Sequence, residues 1–168
     1  ETTVGDLVVD LFIKERPKSS YNFLKLCKMK YFNFSLFHSV QCSFIAQAGI
    51  PVKDPDNGGY SIYMYETQDE TQKYFHREET PVINHTKKGM LSFSHHPGNC
   101  HGSQFFLTLN NNLKFLDKKH TVFGLVTEGL EILDIFNSTI CDSKFRPYQD
   151  LRISHTTVLY DPFDEPSI

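Results

Sequence analysis

After a Gly5-Asp6 turn signal, Leu7, Val9 and Leu11 alternate with Asp6, Val8 and Asp10, the two-residue period of a half-buried strand. The pattern predicts a hairpin at the start of the fold, with Glu1 to Thr3 as the end of a first strand that begins before the given chain. From Pro17 the spacing changes. Lys18 to Cys27 follow helical periodicity, and proline fits a first turn that has no hydrogen-bonded N–H to lose. A second helix is predicted over 129–136, where Leu130, Leu133 and Phe136 share a face with acids between them. Between the helices lie short β-branched and aromatic runs at 44–47, 89–94, 103–108 and 121–126, separated by Pro51, Asn57-Gly58-Gly59 and Pro97-Gly98. Many short strands with two helices predict a mostly β domain, a closed barrel capped at its ends. Residues 64–80 are polar and weakly patterned, and are read as a surface excursion without an element of its own.

Composition narrows the picture. A length of 168 residues suits one domain that buries a core without metals or disulfides, and 14% aromatic content with a net charge of -3 excludes a disordered chain. Fifteen phenylalanines and no tryptophan predict an aromatic core. Apolar runs such as Leu7-Val8-Val9 are far short of the roughly 20 residues that cross a bilayer, so no membrane partner is expected. Cys27, Cys42, Cys100 and Cys141 form no C-x-x-C pair, which fits a reducing intracellular compartment. No charged-then-apolar leader opens the chain, and its start on Glu1 without methionine reads as a fragment of a longer protein. The expected organisation is a domain over 1–160, followed at 161–168 by the start of an acidic, proline-containing linker.

The segment Phe37-His38-Ser39-Val40-Gln41-Cys42-Ser43-Phe44-Ile45-Ala46-Gln47-Ala48-Gly49 resembles the cyclophilin signature F-H-R-x-x-x-x-F-x-x-Q-G-G, with serine in the place of arginine. Gly58-Gly59-Tyr60-Ser61-Ile62-Tyr63, Gly89-Met90-Leu91-Ser92-Phe93, His101-Gly102-Ser103-Gln104-Phe105-Phe106 and the run from Phe115 to Gly124 follow in family order over nearly the whole chain. The resemblance implies a closed eight-stranded antiparallel β-barrel capped by two α-helices, and peptidyl-prolyl cis-trans isomerase ancestry. Glu1 to Asp6, Asn22 to Cys27, Pro147 to Ile153 and Asp161 to Asp164 are similar to the nuclear cyclophilin branch whose barrel is followed by an RNA-recognition motif. That similarity implies a nuclear protein of a spliceosome-associated, RNA-processing assembly, with RNA held by a domain outside this segment.

Rotation about an X-Pro bond crosses a barrier of roughly 18 to 20 kcal/mol, because the amide nitrogen shares its lone pair with the carbonyl. A catalyst must bind the twisted amide better than the planar one. An apolar pocket for the ring and a donor aimed at the nitrogen lone pair suffice, with no cofactor and no metal. By motif position, Phe44, Ile45, Phe106, Leu116 and His120 form the pocket, while Gln47 with Ser94, His95 and His96 orient the peptide. Ser39 occupies the position of the donor, and its short neutral hydroxyl lacks the reach and charge of a guanidinium. Weak or lost turnover follows, so the chain reads either as a slow isomerase or as a silent module that binds proline-containing segments of protein partners. Phe115 replaces the tryptophan that helps many members hold cyclosporin, which implies weak cyclosporin binding.

Other chemistries fit less well. His95, His96 and His101 lack the cysteine or carboxylate spacing of a zinc site; His95 and His96 read either as ordinary solvated histidines or as the rim of the peptide groove, where they would make binding pH-sensitive. No G-x-S-x-G elbow, P-loop or dinucleotide fingerprint is present. The basic clusters at Lys25-Lys28-Lys30, Lys87-Lys88 and Lys118-Lys119 are short and lie in a net acidic chain, so direct nucleic-acid binding by this domain is not expected.

Overall fold

Strands and helices form where the sequence changes its period. The computed structural model describes residues 1–163. In chain order it places β1 (Val8–Leu11), α1 (Pro17–Lys28), β2 (Ser39–Gln41), β3 (Ile45–Ala48), α2 (Ile62–Thr67), β4 (Phe75–His76), β5 (Met90–Phe93), β6 (Cys100–His101), β7 (Phe105–Thr108), β8 (Thr121–Glu128) and α3 (Leu130–Asn137). Six strands form one sheet in the order β1-β8-β5-β7-β3-β2, every neighbour antiparallel, and β4 pairs with β6 apart from it.

The architecture differs from the expected eight-stranded closed barrel with two helices. The edge strands β1 and β2 do not pair with each other, and only isolated bridges lie between them: Leu36 to Arg152 and Thr2 to Ile153. The segment 151–153 hydrogen-bonds on both sides, Phe37 N donating to Leu151 O at 2.8 Å and Thr3 N to Arg152 O at 3.1 Å, without a regular ladder. Residues 64–80, expected to be irregular, hold most of α2, a 3-10 turn over Glu70–Gln72 and β4. Helix α2 is fixed by tertiary contacts: the Asn22 side chain accepts from Ile62 N at 2.8 Å, Tyr63 stacks on Tyr21, and Tyr65 meets Tyr31 edge-on. No helix among the described residues is long and apolar enough to cross a membrane.

Alternation along the strands separates core from site. Val40, Ala46, Leu107 and Leu91 lie opposite one another across β2, β3, β7 and β5, and all are buried in the main core. One residue along, the row Ser39, Gln47, Phe106 and Ser92 points to the other face. The core is aromatic as expected: Phe23 packs edge-on against Phe105, and Phe93 stacks on Phe123 with centroids 4.2 Å apart. Helix α1 closes one side of it with Phe23, Leu24, Leu26 and Cys27. Its first turn is satisfied by Glu78, which accepts from Ser19 N at 2.7 Å and Ser19 Oγ at 2.8 Å.

Past the last bridges the chain returns along α1. Asp161 accepts from Lys25 at 3.0 Å and Lys28 at 2.8 Å, and Phe163 sets its ring edge-on to Tyr21 at 5.2 Å. Of the stretch read as the start of a linker, residues 161–163 therefore lie against the domain, and residues 164–168 are outside the described residues.

Candidate functional site

On the face opposite the main core, Ile45, Phe106, Leu113 and Leu116 form a second apolar cluster, with half-buried Phe44 packed against it. Strand β3 supplies Ile45, β7 supplies Phe106, and the 3-10 turn Lys114–Leu116 brings in Leu116. Four of the residues expected in the pocket thus share one cluster. Phe115 joins from outside, 68% exposed, with its ring 5.2 Å from that of Phe44. The two rings lie at the solvent edge of the cluster, and Phe106 beneath is only 1% exposed.

His120 meets the Phe106 ring edge-on at 5.1 Å. Its Nδ1 lies 3.1 Å from His95 N and 3.2 Å from Phe93 O. In a neutral ring the two contacts exclude each other: Nδ1 accepts from His95 N in the tautomer protonated at Nε2, and donates to Phe93 O in the other. Burial pushes the His120 imidazole down to about 4, so it is neutral at physiological pH. His95 therefore acts on the site through its backbone, while its ring stands 6.3 Å from that of His120.

Gln47 lies between Ser39 and Phe106 in the cross-strand row. Its Nε2 donates to Gln104 Oε1 at 2.9 Å, and Gln104 Nε2 donates to Gly58 O at 2.7 Å, an arrangement that leaves Gln47 Oε1 as an acceptor on the site face. Ser39 is half-buried on that face. Its neighbour His38 alternates away, with an enclosed Nδ1 that has no partner, and burial holds its imidazole below the ordinary range. Gly49, the last residue of the first motif, has φ +111°, and a Cβ there would meet Ser103 O at 2.4 Å, so only glycine fits.

Ser94 N donates to Gln104 O at 3.0 Å, and Ser94 O accepts from His101 Nδ1 at 2.8 Å, while the Ser94 hydroxyl is buried without a partner. His96 turns away from Phe106 and stacks on Tyr74 at 4.3 Å; burial, then the charge of His95, holds its imidazole below the ordinary range. With Nδ1 donating to Ser94 O, the Nε2 of the buried His101 ring accepts from Thr121 Oγ1 at 2.8 Å, and burial pushes the imidazole down to about 3.

Sequence reasoning missed the groups behind the cluster. His85 stacks on Phe106 at 5.9 Å; its Nδ1 is 2.7 Å from Asp117 Oδ1 and its Nε2 2.8 Å from Ser92 Oγ. The order Ser92, His85, Asp117 suggests an acyl-transfer triad, but Ser92 and His85 are enclosed in the protein, so no substrate carbonyl reaches the hydroxyl. Nothing in the spacing of residues 85, 92 and 117 advertises this chain of bonds. Leu113 was missed because it sits in a polar run of asparagines and lysines.

A model of the family described as cyclophilin type peptidyl-prolyl cis-trans isomerase/CLD matches residues 1–158. The chain is 52% identical over 98% of its length to the peptidyl-prolyl cis-trans isomerase sig-7 of Caenorhabditis elegans, spanning 38% of that protein. It is 49% identical over 99% of its length to human peptidyl-prolyl cis-trans isomerase-like 4, spanning 33% of it. The chain thus spans about a third of the length of these relatives. A crystal structure of a Cryptosporidium parvum cyclophilin-type isomerase in the presence of the dipeptide Ala-Pro is 31% identical, with a TM-score of 0.80 and 92% of both chains covered.

Proposed function

We propose, from the premise that this chain belongs to the cyclophilin-type peptidyl-prolyl cis-trans isomerase family, that it holds X-Pro segments of protein partners and turns them over slowly. The proline ring seats on Phe106, Ile45 and Leu116, with Phe44 and Phe115 moving aside to admit it. The amide of Gln47 and the backbone at Ser94 and His95 orient the peptide, and neutral His120 stands beside the ring, its Nε2–H a donor in the tautomer whose Nδ1 accepts from His95. The observation that carries the reduced turnover is Ser39: it occupies the cross-strand row of Gln47 and Phe106, and its hydroxyl is too short to reach the nitrogen lone pair of a proline over Phe106. A charged hydrogen bond made only in the transition state is worth about 1.5 to 3 kcal/mol, so its loss slows turnover by about one to two powers of ten.

The second reading is a silent proline-peptide-binding module in a nuclear RNA-processing assembly, with RNA bound by a domain beyond this segment. It is favoured by the same pairing of an intact apolar cluster with a missing donor. Cyclosporin is held weakly, since exposed Phe115 has no indole N–H to offer. A shift titration with Ala-Pro peptides tests the site: saturable shifts at Phe106, Leu116 and His120 are expected, and their absence removes peptide binding from this face.

A further inference from the structure

Beside the proline cluster opens a cavity of about 820 Å³, within the size range of ligand sites. His85 and His120, which flank the Phe106 ring, also line it, so cavity and cluster share a wall. Its other walls carry charge of both signs, and the two signs are differently engaged. Asp117 is taken up by the His85 amide and ring, and Glu78 by the Ser19 amide and hydroxyl. Glu79 stands at the rim with 60% of its side chain exposed.

Among the described residues the cations are less closely engaged by carboxylates. Arg16 is 2% exposed, and its guanidinium donates only to the carbonyls of Val122, Pro81 and Glu15. Arg77 has a side chain 11% exposed, its Nε is buried without a hydrogen bond, and the nearest carboxylate oxygen, on Glu79, is 3.8 Å away. A guanidinium presents five donors and stays charged, and the buried Nε–H of Arg77 is one that is left without an acceptor, which is costly. Lys114 and Lys118, from the turn that carries Phe115 and Leu116, add charge at the mouth.

The geometry points to an anion-binding subsite contiguous with the proline pocket, in which Arg77, with Lys114 and Lys118, receives a carboxylate or phosphate on a residue flanking the proline. This rests on the proline-peptide reading and specifies the peptide: acidic or phosphorylated within about three residues of the proline, the reach of a short extended segment. Arg16 is a positioning residue, tying the 78–83 loop to β8 through Pro81 O and Val122 O. An anion at Arg77 takes the place of the distant Glu79 contact and forms the charge-assisted, bidentate bonds that guanidinium favours.

The test is a set of Ala-Pro peptides carrying serine, glutamate or phosphoserine at each of three positions on either side of the proline, titrated into the chain and read by amide shifts. At one position phosphoserine binds about ten-fold tighter than serine, with glutamate between them, as a charge-assisted bond predicts. Arg77→Gln abolishes that gain, and the double variant Lys114→Gln/Lys118→Gln reduces it. Lys144→Gln, remote from the cavity lining, keeps it. Equal binding of serine and phosphoserine at every position overturns the subsite, as does a gain that survives Arg77→Gln in a folded variant. A phosphoserine peptide that binds as tightly with alanine in place of proline overturns the contiguity. Serine peptides that leave Phe106 and Leu116 unshifted count against the proline reading itself and the subsite with it.

Discussion

Replacing Ser39 by arginine is the perturbation that isolates the donor. Residue 39 pairs with Gln47, and Gln47 with Phe106, so the new side chain starts two strand spacings, about 9.5 Å, from the ring it must overhang. The serine hydroxyl cannot cross that distance, whereas the arginine stem passes over Gln47. Gln47 is prepared to receive it: with Nε2 committed to Gln104, its Oε1 accepts a guanidinium N–H and fixes the head over Phe106. Because the proline nitrogen accepts a hydrogen bond only once the amide twists, the gain belongs to the transition state. At about 1.5 to 3 kcal/mol the isomerisation rate rises by about one to two powers of ten, while peptide affinity changes by less. The assay is the exchange rate of an Ala-Pro peptide alongside its dissociation constant for the parent and Ser39→Arg. A variant structure with the guanidinium over Phe106 and an unchanged rate would refute the reasoning.

Other perturbations test the scaffold and the pocket. Phe106→Ala removes a ring enclosed by Ile45, Leu113 and Leu116, and should cost about 3 to 5 kcal/mol of stability in denaturant unfolding, with a weaker proline ligand; an unchanged dissociation constant in the folded variant contradicts the pocket. His101 is enclosed and pushed down to about 3 by burial, below its unfolded value near 6.5. Its stabilising contribution is therefore complete above about pH 6.5 and is lost as pH falls toward 3, about 3 kcal/mol of it between pH 7 and pH 4; His101→Gln should flatten that part of the pH–stability curve. At Asp161 burial opposes ionisation, but hydrogen bonds from Lys28, Lys25 and the Phe163 amide outweigh it and hold the carboxyl below the usual range. That contact is present above about pH 4 and lost in stronger acid, and Asp161→Asn should cost about 1 to 2 kcal/mol at pH 7, measured by thermal unfolding.

Periodicity carried most of the strands and both long helices. The alternation at residues 7–11, the short β-branched and aromatic run at 44–47 and the helical spacing after Pro17 are local signals, and β1, β3 and α1 lie where those signals predict. Helix α2 was illegible because Tyr63 and Tyr65 are not helix formers by propensity; they are held by Tyr21 and Tyr31 from elsewhere in the chain. The short pairs β4 and β6 have too few residues to show a period. At the site, motif order identified Phe44, Ile45, Phe106, Leu116 and His120 as one group. It could not show that His96 stacks on Tyr74, nor that His85 and Asp117 back the Phe106 ring, since those contacts join loops with no common pattern.

The most direct test of proline binding with slowed turnover is two-dimensional exchange on an Ala-Pro peptide mixed with the unmodified chain, which reads binding and cis-trans interconversion in one sample. The account predicts peptide shifts that saturate, and an exchange rate above that of the free peptide yet about one to two powers of ten below that of Ser39→Arg under the same conditions. A peptide whose shifts and exchange rate are both untouched by the chain would contradict it.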